Sequence, residues 1–104
     1  MNVDPKGAIK LEGGDDLTDA SSEVARIWVT DGAGSSVWIN AGLIENPVIF
    51  GYLMADTIRH AARAYAGTWD VDEADALQRI VDGVTEELRD QVSEITTIQE
   101  GRLN

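Results

Sequence analysis

Cysteine is absent from the 104 residues, which excludes a disulfide framework, a thiolate nucleophile and any zinc–thiolate site. Histidine occurs once, at His60, so no pair of imidazoles can hold a metal. No apolar run approaches the roughly 18 residues of a membrane span, and the opening MNVDPKGAIK lacks the apolar segment of a signal peptide. A cytoplasmic location away from membranes is therefore expected. Basic residues are scarce: eight Lys and Arg stand against 19 Asp and Glu, a net charge of −11. Such a surface repels the phosphate backbone, so a nucleic-acid partner is not expected; the preferred reading of the charge is solubility, with a basic protein partner as the alternative. Proline occurs only twice, at Pro5 in a turn signal and at Pro47.

The remaining composition is that of one folded domain. Hydrophobic residues make up 43% and charged residues 26% of the chain, too apolar for a disordered protein and large enough for one modest core. Residues 1–22 are rich in Gly, Asp and Ser and read as a flexible, acidic N-terminal arm. Residues 23–104 read as a single α+β domain.

Within that domain EVARIWVT, from Glu23 to Thr30, alternates apolar and polar residues, and SVWIN does so again from Ser36 to Asn40. Closing a three-residue loop over Gly32, Ala33 and Gly34 sets Val29 opposite Val37, Trp28 opposite Trp38 and Ile27 opposite Ile39. One face is then aliphatic, and the other carries Arg26, two indoles and Asn40. Two strands alone are marginal in water. The hairpin therefore needs a partner: residues Ala8 to Leu11, residues Thr96 to Ile98, or the hairpin of a second copy.

Asn46 and Pro47 mark a helix start, as N-cap and first helical residue, and Gly67 marks its expected end. On a helical wheel Phe50, Met54, Ile58, Ala61 and Tyr65 share one face, and Tyr52, Asp56, Arg59, His60 and Arg63 share another. Gly51, Ala55, Ala62 and Ala66 add a strip of small side chains suited to close packing. A second helix is expected to start at Asp70, whose spacing to Glu73 is that of a capping box. Leu77, Ile80, Val81, Val84, Leu88, Val92 and Ile95 then recur at spacings of three and four, predicting an amphipathic helix to Glu94 or Thr97.

Chemistry-bearing groups are few. His60 stands one helical turn after Asp56, with Arg59 and Arg63 beside it, so Asp56, Arg59, His60 and Arg63 form a candidate anion-binding site. The preferred reading of the same four residues is structural: Asp56 neutralises neighbouring cations along the helix side or meets them across a subunit interface. DGAGSS lacks the lysine of a phosphate-binding P-loop and joins two strands, and no serine sits in a GxSxG context. No catalytic residue, metal site or cofactor is assigned. Arg26, Trp28, Trp38, Ile49, Tyr52 and Leu53 are the candidate interface residues, because two indoles and several apolar groups outside the core are surface that monomers usually cover.

The segment WVTDG at Trp28 to Gly32, the Pro47 that opens the first helix and DTIRHAARAYA at Asp56 to Ala66, with Arg59, His60 and Arg63, resemble a family of short, mainly alphaproteobacterial proteins of about 100 residues. That family is classified only as a domain of unknown function. The resemblance implies a compact α+β domain and assigns no reaction, substrate or catalytic residue. The sequence thus predicts an α+β chain of order ββαα, a small antiparallel hairpin covered on one face by two long helices. The expected function is a non-enzymatic, homodimeric interaction or accessory module. The alternatives are a small-molecule anion binder or weak enzyme built on Arg59, His60 and Arg63, and an acidic mimic that docks a basic protein.

Overall fold

The computed structural model describes the backbone of residues 5–11 and 16–103, and side chains as far as residue 89. The element order is β1 (Ala25–Thr30), β2 (Gly34–Ile39), a short 3-10 turn (Ala41–Leu43), α1 (Pro47–Trp69) and α2 (Glu73–Leu103), an α+β chain of order ββαα. Two compact units divide it, Met1–Glu45 and Asn46–Asn104.

In the first unit β1 and β2 form a two-stranded antiparallel sheet. The register differs from the predicted one by two residues: Arg26 lies opposite Trp38, Ile27 opposite Val37, Trp28 opposite Ser36 and Thr30 opposite Gly34. The loop is therefore Asp31, Gly32 and Ala33, and the two indoles are not directly paired. The glycines decide this. Gly32 has φ of 77° and Gly34 has φ of 82°, and the Ala33 N–H donates to the Thr30 carbonyl at 3.0 Å, closing a turn with its positive φ at the third position. A shift of two leaves every side chain on its original face, because strands repeat every two residues. Ile27, Val29, Val37 and Ile39 still share one face, and Arg26, Trp28 and Trp38 the other.

Among the described residues the sheet has no third strand. Residues Ala8 to Leu11 carry none, and Ala8 N–H instead donates to the Pro5 carbonyl at 2.9 Å. Residues Thr96 to Ile98, the other candidate within the chain, belong to α2.

In the second unit α1 starts as its sequence predicts. Asn46 is extended, and its Oδ1 accepts the Val48 N–H at 3.0 Å, with Pro47 next in line. Its end lies beyond the predicted Gly67. The helix runs on to Trp69, and Asp70 takes the left-handed conformation at φ 52° and ψ 48°. Aspartate tolerates that region better than most side chains, and running on to Trp69 extends the helical hydrogen bonding past Gly67. The α2 cap shifts correspondingly from Asp70 to Asp72, whose Oδ2 accepts the Asp75 N–H at 3.0 Å. Glu73 and Asp75 then stand in the first turn, where the helix dipole favours negative charge. The helix continues past the predicted end to Leu103. The side chains of Val92 and Ile95, which the periodicity assigns to its apolar face, lie outside the described residues.

The helices pack on each other through small residues. Ala62 is 1% exposed and Ala76 7%, and Ala55, Ala61 and Ala66 are half-buried. Gly51 has open space where a Cβ would point, so it is no part of this close approach. Around the alanines Phe50, Leu53, Met54 and Ile58 of α1 and Leu77 and Ile80 of α2 are half-buried. Val81, Val84, Leu88 and Tyr65, predicted on apolar faces, are exposed.

Candidate functional site

One exposed flank of α1 carries the four residues of the candidate anion site. Asp56 is its hub: its Oδ1 lies 3.7 Å from Arg59 Nη1, and its Oδ2 lies 3.6 Å from His60 Nδ1. His60 Nδ1 also lies 2.8 Å from the Asp56 backbone carbonyl. The tautomer with its proton on Nδ1 donates to that oxygen, which leaves Nε2 as the outward acceptor. Arg63 Nε is 4.0 Å from Glu73 Oε2, tying the flank of α1 to the start of α2. Each cation thus already has a carboxylate neighbour, and all five side chains are more than half exposed. Exposed pairs of this kind contribute about 0.2–1 kcal/mol and leave the guanidinium groups well hydrated. The arrangement can neutralise charge along the helix; for an anion it offers no desolvated donor set.

The candidate interface residues fall on both units. On the first, Arg26 donates from Nε and Nη2 to the two carboxylate oxygens of Glu23, at 3.0 and 2.9 Å. This fork sits beside an open groove of about 940 Å³ lined by Trp28, Trp38, Ser36 and Asn40. The two indoles differ in cover. Gly7 of the N-terminal arm lies against Trp28, since a Cβ there would be 3.5 Å from its ring, and Trp28 is half-buried. Trp38 is 61% exposed. On the second unit Ile49 and Tyr52 are exposed, and Leu53 is half-buried.

A further groove, of about 700 Å³, escaped the sequence reading. It lies at the elbow where α1 hands over to α2 and is lined by Tyr65, Trp69, Val71, Asp72, Asp75, Ala76, Arg79 and Ile80. The signal was present: Tyr65 and Trp69 are spaced to share one helix face, and an acidic turn follows. The early stop predicted at Gly67 hid it by placing Trp69 outside the helix.

No group of His, Cys, Asp and Glu suited to a metal ion occurs among the described residues. Nor is any described helix long and apolar enough to cross a membrane.

Comparison with known proteins adds family but not activity. No curated protein matches the chain. A solved structure from the photosynthetic bacterium Rhodopseudomonas palustrus CGA009, described as "a putative pyruvate dehydrogenase", is similar at 36% identity and a TM-score of 0.61, covering 84% of this chain and 86% of that one. The sequence profile of a domain of unknown function, DUF5076, matches residues 16–92, a stretch that includes the Trp28 to Gly32 and Asp56 to Ala66 segments that carried the resemblance. With about three-quarters of its length matched, the chain belongs to the DUF5076 family.

Proposed function

We propose that this chain is a cytoplasmic, non-enzymatic interaction module that works as a homodimer. Its exposed surface carries the reading. Much of this surface is apolar: Ile27, Val29, Val37 and Ile39 on the hairpin, and Val81, Val84 and Leu88 on α2, are all exposed. Only two hydrophobic residues count as buried among those described. Apolar surface on this scale is what a second copy would cover.

The description of the Rhodopseudomonas protein names a pyruvate dehydrogenase, so an enzyme is the competing class. Enzymatic catalysis depends on preorganised, desolvated polar groups. No polar side chain is buried among the described residues, which supports the non-enzymatic reading for this chain.

The test is the solution mass by light scattering after size exclusion, with Trp28→Ser and Trp38→Ser as comparisons. The wild type is expected at twice the chain mass. The Trp38 variant should shift toward monomer more than the Trp28 variant, because Gly7 already lies against Trp28. A wild-type monomer at all concentrations would sink the homodimer.

A further inference from the structure

We propose that the α1–α2 elbow is a docking groove for an arginine side chain presented by a basic protein segment. This rests on the second unit alone and does not depend on the dimer. Tyr65 and Trp69 stand one turn apart at the end of α1, 52% and 68% exposed. Two large aromatic rings left open on one helix face have given up burial that their size favours, and an occupant lying across them restores it. Between the rings and α2 the groove has an apolar floor, where Ala76 is buried and Ile80 half-buried, and an acidic rim of Asp72 and Asp75.

Charge chooses the occupant. From Asp70 to Asp82 the chain has five acidic side chains and one basic one. Asp72 uses Oδ2 to cap α2, and the Asp75 carboxylate has no hydrogen-bond or ion-pair partner among the described residues. A neutral ligand would leave the rim carboxylates without a counter-charge, and an anionic one would be repelled by them. A planar guanidinium can stack on indole and donate sideways to a carboxylate at once, whereas an ammonium offers a compact point charge and no plane to stack. Arginine therefore fits better than lysine. Arg79 is the one cation lining the groove and also lacks an ion-pair partner among the described residues, so it stands as a competitor for the rim. Removing its charge should improve binding.

The experiment titrates the full-length protein with a capped peptide of alternating Gly and Arg, and with its Lys and Glu counterparts. The indole Nε1–H resonances of the three tryptophans are followed by NMR, with Trp69 assigned from Trp69→Phe. The Arg peptide is expected to move the Trp69 resonance saturably and leave Trp28 and Trp38 in place. The Lys peptide should bind several-fold more weakly, and the Glu peptide should not bind. By the size of cation–aromatic contacts, Trp69→Ala should lower affinity about tenfold, Tyr65→Leu and Asp75→Asn each by about threefold, and Arg79→Gln should raise it by about twofold. Equal movement of all three indoles, or unchanged affinity in both Trp69→Ala and Tyr65→Leu, would reduce the effect to attraction by net charge and overturn the groove. Equal binding of the Lys peptide would overturn the assignment to arginine.

Discussion

Asp70 and Gly67 exchange the roles that their residue types suggest. Gly67 lies inside α1 with open space where a Cβ would point, and Asp70 holds the left-handed position after it. A glycine inside a helix is less stable than alanine by about 0.5–1 kcal/mol, and a left-handed aspartate is strained where glycine is not. Gly67→Ala is accordingly expected to stabilise the chain by about 0.5–1 kcal/mol, and Asp70→Gly by up to about 1 kcal/mol, both read from urea unfolding. Destabilisation by Gly67→Ala would mean that the helix ends where its glycine suggests. The start of α1 was legible in Asn46 and Pro47 because both residues favour one position by their own covalent structure. Its end was not, because a helix tolerates an internal glycine when the residues beyond it still bond.

The hairpin shows the same limit one level up. Its faces could be read from alternation, since any register differing by two residues sorts Ile27, Val29, Val37 and Ile39 together. Alternation cannot choose among such registers; the positive φ of Gly32 and Gly34 does. Gly34 opens β2 opposite Thr30 and Gly32 sits in the loop, so alanine at position 34 strains the first pair of the ladder. Gly34→Ala is expected to destabilise the first unit by about 1 kcal/mol, seen as faster amide exchange in β1 and β2 with α1 unchanged. Uniform acceleration in all elements would instead mean that the hairpin opens only with the whole chain. The Asp56, Arg59, His60 and Arg63 flank was legible as a group because one helix carries all four residues. Its link to Glu73 was not, because that contact depends on how α1 and α2 pack. The elbow groove was hidden by the helix end expected at Gly67, which set Trp69 outside α1.

For the whole molecule, charge and apolar surface act against each other. A dimer brings together two chains of −11 each, and their repulsion is long-ranged at low salt. Raising salt screens it and leaves apolar burial intact, so self-association should tighten severalfold between about 50 and 500 mM salt, checked by sedimentation equilibrium. Docking of an arginine segment should weaken over the same range. Opposite responses to one variable separate the two interactions even where both occur. The three tryptophans offer a further separation. Trp28 lies against the arm, Trp38 opens onto the groove of the hairpin, and Trp69 stands among carboxylates at the elbow. Iodide is turned away from that last environment and caesium drawn into it, so a pair of oppositely charged quenchers reads the elbow apart from the hairpin in the protein's own fluorescence, with no label attached.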